Sequence, residues 1–556
     1  MESLGVEMSS RPVRRRLAAA GVVGLALALS ACSQTQATSN KSSAEVAGKV
    51  ITTIPIGSRP VQQGGTLTMG LSADPDALDP TTSSSLYTRY VMETMCQKLY
   101  DTNADGQIVP MLATALPTLS DGGKTATFPI KQGVKFADGT PLNADAVVTT
   151  LKRDLTKPDS ARASELGTLK TISATGNDEV RLTFGSPFAP LAASLADRAG
   201  MVMSPTALAK EGDHFGDHPV CVGPFKFASR VPATSITVEK DPNYYDAKDV
   251  HLDKIVYKII TDPAIRATDL KSGDVQVADT ISPSDVNSLR SDKALTVMQV
   301  GSYGYQGIQI NIANQHGVGT PPLQIDTPLA KSAQIREALS MAIDRKQLVK
   351  TVFDGYYDPA CSPIAPNSAY ATAASNACPP YDPSKAKQML EQAGVKLPLQ
   401  ITMQTSNIPS SLQLAQAIQA QVRAAGFDLK IEPIEYTTLL QNDSQGKFEA
   451  LQLGWSGRVD PNGDTYNFLF TGSGNNYSNY SNKQVDTWLA AAAATTDTAT
   501  RADLYGKAIA QVQKDNPYIY LYRNRNLTGV ANKVAGVSVY PDGVVRLSGA
   551  AFVAQG

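Results

Sequence analysis

Few residues in this chain have the types and spacing that chemistry would need. Gly122-Gly123-Lys124-Thr125 resembles the end of a phosphate-binding loop, but Thr118 stands where that pattern needs its first glycine. The segment reads better as a surface turn. Gly454-Trp455-Ser456-Gly457-Arg458 misses the nucleophile-elbow pattern G-x-S-x-G at its last position. His214 and His218, two of only four histidines, have the i,i+4 spacing that would put two imidazoles on one helix face. Gly212, Gly216 and Pro219 around them argue for a polar loop instead. With 51 acidic residues, chance carboxylate pairs are expected and carry no information. The expectation is a protein without a catalytic nucleophile, a cofactor or a bound metal.

The strongest local signal is at the N-terminus. Arg14, Arg15 and Arg16 precede an apolar run from Leu17 to Leu29, which ends in Ser30-Ala31-Cys32. The run is too short and too rich in Ala and Gly for a membrane span, and it reads as a signal-peptide core. Its end resembles a bacterial lipobox, which implies acylation of Cys32 and cleavage after residue 31. Two or three acyl chains anchor stably, because each buried CH₂ contributes about 0.8 kcal/mol. The adjacent arginines leave Sec and twin-arginine export both open. Residues 32–62 are rich in Ser, Thr, Gln, Asn and Ala. They are expected to form a tether reaching roughly 30 Å. Localisation follows: outside the cytoplasm, held to the outer face of the cell membrane by the lipid anchor alone.

Composition excludes some partners. Without the first 31 residues the chain carries 46 basic and 49 acidic side chains, so no basic stripe is available for nucleic acid. At 556 residues the chain is too long for one core, and two or more lobes are expected. If Cys32 is acylated, four cysteines remain, an even number that suggests disulfides in an exported protein. Three connectivities are open. Cys361–Cys378 is favoured because those residues enclose a loop with no helical pattern, a closure contributing about 3 kcal/mol. Cys96–Cys221 then follows by elimination. No CxxC pair suggests a metal.

The elements that must position any site alternate along the chain. Leu67, Met69 and Leu71 alternate with polar residues or glycine, as in a half-buried strand. A helical stretch follows near residues 87–99. Residues 124–136 alternate around a turn at Gln132-Gly133, Asp138-Gly139 is another turn, the two reading as β-hairpin structure, and Asn143 opens a helix. An apolar stripe from Ile335 to Ile343 predicts one helix ending near Gly355. Asp382, Pro383 and Gly394 bracket another. Residues 411–425 predict a helix stopped by Gly426, with a strand resuming at Leu429, and 501–515 a last long helix. This rhythm predicts an α/β fold of sheets covered by helices.

Several segments, in order, resemble the dipeptide/oligopeptide-binding receptors of ABC importers. The most specific is residues 124–152, which contain Gly133-Val134-Lys135-Phe136, Asp138-Gly139 and an acid-marked helix. Leu78-Asp79-Pro80, Ile108-Val109-Pro110, Gly223-Pro224-Phe225 and Asn243-Tyr244-Tyr245 add to it, as do residues 335–355 and 382–394. The resemblance implies the type II periplasmic-binding-protein fold, two hinged lobes with an extra subdomain in lobe one. Lobe one would be 63–98, 217–308 and 526–556, the inserted subdomain 99–216, and lobe two 309–525. Hinge strands would fall near 309–312 and 520–524. The protein would be a monomer, with a small peptide-like solute and the permease subunits as partners.

In relatives that bind peptides, the resemblance implies an Asp shortly after a Gly-Trp pair, holding the ligand's ammonium. Here Arg458 takes that place, and Asp460 belongs to the Asp-Pro turn that follows. A guanidinium suits a carboxylate or phosphate and repels an ammonium. Either Arg458 grips an anionic group or the peptide is held differently, or else Arg458 pairs with Asp460 or Asp464 and shapes its loop. Trp455, Ser456 and Gly457 complete the motif. Tyr87, Tyr305 and Tyr522 suit a cleft wall, and Ala73 and Asp74 follow the first strand where relatives present backbone to ligand. Opines, sugar conjugates and metal chelates remain alternative solutes, and a cell-surface hydrolase the alternative class.

Overall fold

The computed structural model describes residues 49–554. The segment expected to be a signal peptide, Cys32 and the first part of the expected tether lie outside them. Among the described residues no helix is long and apolar enough to cross a membrane.

One lobe is built on a seven-stranded sheet. Its strands run in the order Phe225–Val231, Ser235–Lys240, Lys254–Ile259, Thr66–Leu71, Val277–Ala278, Arg525–Ala531, Leu295–Gly301. The alternation in Thr66–Leu71 places Leu67, Met69 and Leu71 in the core, all fully buried. This strand runs parallel to both neighbours, with Met69 opposite Tyr257 and Val277. Ser85 caps the helix Leu86–Met95 by accepting from the Tyr87 N–H, as a short hydroxyl does at an N-terminus.

Inserted in this lobe is a four-stranded antiparallel sheet, in the order Thr118–Ser120, Thr125–Pro129, Glu179–Phe184, Leu169–Thr175. Helix Ala144–Thr156, capped by Asn143, shares a core with it. The hairpin expected around Gln132-Gly133 is absent. Thr125–Pro129 pairs instead with Glu179–Phe184, with Phe128 opposite Val180. Val134 and Phe136, beyond the turn, are buried in the same core without pairing with this strand.

The other lobe is built on a six-stranded sheet: Asp358–Pro359, Tyr518–Arg523, Tyr305–Ile310, Ala450–Trp455, Leu399–Ser406, Phe427–Ile434. Its helices include Pro383–Gln392, capped by Asp382, and Pro409–Val422. The single helix expected to end near Gly355 is two, Ala333–Met341 and Arg345–Val352. Asp344 leaves helical geometry and accepts from the Gln347 N–H, so an internal cap starts the second one.

The chain crosses between the two sheets at residues 302–304, where Leu295–Gly301 leads into Tyr305–Ile310. It crosses back at Asn524, between Tyr518–Arg523 and Arg525–Ala531. The first crossing therefore precedes the expected hinge strand, and Tyr305–Ile310 belongs wholly to the second sheet. The expected tether also ends early. Thr53–Ile54 pairs with Val537–Val539, and Val61–Gln62 with Ala551–Val553. C-terminal strand edges satisfy the backbone of a segment whose side chains gave no strand signal. Cys96 is bonded to Cys221 and Cys361 to Cys378.

Candidate functional site

A cavity of about 180 Å³ lies where the two lobes face each other beside the crossings. The first lobe contributes Leu86 and Tyr87 from the helix start, and the crossings contribute Ser302 and Asn524. The second lobe contributes Tyr305 and Gln309 from one strand, Gln452 and Trp455 from its neighbour, and Tyr436 and Asp443 from the helix Tyr436–Gln445. A second cavity of about 180 Å³ shares Tyr87, Gln306 and Gln452 and adds Tyr522. A wider one of about 800 Å³ shares Ser84, Leu440 and Tyr477.

Aromatic rings make the wall. Tyr305, buried, meets Tyr520 and Tyr518 edge-on, with centroids 5.0 and 5.4 Å apart. Trp455 meets Phe468 at 4.9 Å and donates its Nε1–H to Asp464 Oδ1 at 2.9 Å. Tyr87 reaches across the lobes to Tyr436, centroids 5.4 Å apart. Its hydroxyl accepts from Ser72 Oγ at 3.1 Å, and burial pushes its pKa up to about 12. Tyr522 stacks on Tyr357, 5.5 Å away with planes 12° apart. Such pairs fix ring orientation and contribute about 0.5–1.5 kcal/mol each beyond area burial.

The motif after Trp455 faces two ways. Ser456 lines the cavity and accepts on Oγ from Arg89 Nη1 of the other lobe at 3.1 Å. Gly457 has φ +84°, and a Cβ there would lie 2.3 Å from the Gly304 nitrogen. Only glycine lets the loop rest against the crossing. Arg458 is not part of the central cavity wall. Its guanidinium lies 4.1 Å from the centroid of the Trp455 ring and forms an ion pair with Asp197 of the inserted subdomain. The alternative that paired Arg458 with Asp460 or Asp464 is thus corrected. Asp460 is taken by Arg501, at 2.7 and 2.8 Å. Asp464 receives the Arg458 backbone N–H at 2.8 Å, not its side chain.

Burial alone would raise the Asp197 carboxyl, but the Arg458 and Arg89 guanidiniums outweigh it and hold the group well below the usual carboxylate range. Arg89 donates to Asp197 at 3.1 Å and to Asp542 at 3.2 Å. The carboxyls of Asp464 and Asp443 move the other way, pushed well up by burial.

The structure therefore brings Tyr87, Tyr305, Trp455 and Ser456 to one cavity and Tyr522 to its neighbour. Gly457, Arg458 and Asp460 line neither of these two cavities. Ala73 and Asp74 line none of the three cavities. Asp74 accepts from Arg230 Nη2 at 3.1 Å and from the Ala233 N–H at 2.8 Å, on its own lobe. Gln309, Tyr436, Asp443 and Gln452 escaped the sequence reading. Asp443 did leave a signal, because an acid in a helix's last turn opposes the macrodipole and calls for another reason to be there.

A profile of the bacterial extracellular solute-binding proteins, family 5, matches residues 107–478. The chain is 30% identical over 479 residues to the glutathione-binding protein GsiB of Salmonella typhi, covering 84% of this chain and 90% of that one. It is also 30% identical over 480 residues to GsiB of Pectobacterium atrosepticum, with the same coverage. Among solved structures it is similar to the oligopeptide-binding protein AppA of Bacillus subtilis in complex with a nonapeptide, with TM-score 0.79 and 23% identity, covering 89% of this chain and 100% of that one. The Agrobacterium tumefaciens R10 protein AgaA in complex with agropinic acid gives TM-score 0.79 and 24% identity, covering 88% and 99%. With its two-lobe α/β fold and a match over most of its length, the chain belongs to the family 5 bacterial extracellular solute-binding proteins, which are not enzymes.

Proposed function

We propose that this chain is the substrate-binding lipoprotein of an ABC importer. It captures a short peptide or peptide-like solute between its lobes and passes it to the membrane permease as a monomer. The observation that carries this reading is the polar, tyrosine-walled cavity enclosed between two lobes that two short crossings join. Burial of the solute's apolar parts against rings, with a few fixed polar groups for orientation, is how such sites gain affinity. The glutathione-binding relatives support a peptide-like cargo. In this reading Tyr87, Tyr305, Trp455, Ser456 and Tyr522 contact the solute, residues 99–216 form the inserted subdomain, and acylated Cys32 anchors the chain to the membrane.

The lack of an Asp at position 458, where peptide receptors carry one for the ammonium, favours a second reading. The solute is then an opine, sugar conjugate or metal chelate. Native mass spectrometry of the chain purified from its own host separates the two. A retained peptide mass is expected, and a retained non-peptide mass moves the assignment to the second reading. Chemical turnover of the retained molecule overturns both.

A further inference from the structure

We propose that Asp443 is the anchor for an ammonium group of the solute, so that the ligand of this cleft is a protonated primary or secondary amine. The inference rests on the solute-receptor reading and names the chemistry of its ligand. Asp443 sits in the last turn of the helix Tyr436–Gln445, is 1% exposed, and lines the central cavity. Its Oδ1 accepts from Gln309 Nε2, while Oδ2 has no hydrogen-bond partner among the described residues. Gln452 lines the same cavity, and its buried Oε1 likewise has none. Two buried polar atoms without partners in one wall call for a polar group of the ligand.

The rest of the wall decides which group. Among the described residues the lining holds no Lys, Arg or His. The titratable groups beside Asp443 are Tyr477 and Tyr518, both pushed upward by burial, with the Asp443 charge adding to it. Arg458 is committed to Asp197 and Trp455. Among the described residues Asp443 is thus the one carboxylate in the cavity wall, with no cation in that wall to neutralise it. A buried carboxylate without a partner is driven to hold a proton, and the raised Asp443 pKa agrees. An entering ammonium reverses this. Asp443 releases its proton to solvent and pairs with the ligand's N–H donors. The helix C-terminus adds attraction for the cation. A neutral polyol would leave the carboxyl protonated, and a purely anionic solute would find no cation in this wall.

The test uses the mature chain, the low-mass fraction of soya peptone and an extract of the host's own growth medium, each before and after acetylation of amines with acetic anhydride. Retained species are read by native mass spectrometry. Capture from the untreated mixtures should vanish after acetylation. Asp443→Asn should weaken binding of the same masses by about tenfold or more, the scale of one charge-assisted hydrogen bond. Capture that survives acetylation, or an unchanged affinity in folded Asp443→Asn, overturns the anchor and leaves the receptor reading standing. Capture of nothing from any mixture removes both. Should the variant fail to fold, the acetylation comparison on the unaltered chain decides alone.

Discussion

The guanidinium of Arg458 and the carboxylate of Asp197 form an ion pair between the second lobe and the inserted subdomain of the first, with side chains 10% and 7% exposed. The two lobes are therefore joined by a buried charge contact as well as by the Tyr87–Tyr436 ring contact. Breaking a buried pair from one side typically costs about 3–5 kcal/mol. Asp197 keeps Arg89 as a second partner, so Arg458→Ala should fall at or below the low end. The expected outcome is a larger radius of gyration by X-ray scattering for the unliganded variant, and weaker solute binding. Unchanged scattering would remove the latch.

The pH behaviour of that latch follows from its sign. Asp197 has a folded pKa below its unfolded value. Its stabilisation is therefore present above about pH 4 and is lost only as pH falls further, through the folded value. Scattering from the unliganded chain should stay constant between about pH 5 and 8, and expansion should appear only in stronger acid. Expansion on mild acidification would show that another group holds the lobes.

Asp443 has the opposite sign. Its folded pKa is raised, so its contribution is intact below the unfolded carboxylate pKa and lost as pH rises toward the folded value. Asp443→Asn removes the titration. Its stability relative to the unaltered chain should then grow by up to about 1.4 kcal/mol per pH unit above about pH 4. Guanidinium melts at several pH values measure the gap. A gap independent of pH would mean that Asp443 ionises freely in the fold.

Legibility in the sequence tracked the distance between partners. Thr66–Leu71 could be read because its own alternation fixes which face is buried, and Pro383–Gln392 because Asp382 and Gly394 are local punctuation. The hairpin at Gln132 was misread because the true partner of Phe128 is Val180. The cleft suffered most. Asp443 is bonded to Gln309, 134 residues earlier, and Arg458 to Asp197, on another subdomain. No spacing rule within one segment could pair them. The Gly-Trp motif located the cavity wall, but not which way each of its side chains would point.

The two disulfides should differ in weight. Cys96 and Cys221 are 125 residues apart, Cys361 and Cys378 only 17. Chain-entropy scaling gives about 4–5 kcal/mol for the first and about 3 kcal/mol for the second. Cys96 and Cys221 also sit in the core of the seven-stranded lobe. Replacing that pair by Ala should lower the denaturation midpoint more than replacing Cys361 and Cys378. The reverse order would contradict the entropic account.

Anchoring at Cys32 is testable without any structure of that segment. Labelled palmitate should enter the chain in its host, and Cys32→Ser should abolish labelling and release the protein into the medium, because no other lipid attachment is proposed. A labelled Cys32→Ser chain would place the anchor elsewhere.

Trp455 offers a direct optical readout of the cleft. The chain has two tryptophans, and only Trp455 lines the central cavity. Its ring is clamped by the Asp464 hydrogen bond on one side and the Arg458 guanidinium on its face. A solute entering beside it displaces water and changes the polarity around the indole, while the ring itself stays fixed. Titration with the retained solute should therefore shift intrinsic fluorescence. Trp488→Phe should keep the shift and Trp455→Phe should lose it. Trp455→Ala should also weaken binding by at least tenfold, since it takes away a cavity wall and uncovers Arg458, about 1.4 kcal/mol or more on the affinity scale. A shift that persists in Trp455→Phe would mean that the solute binds away from this cavity.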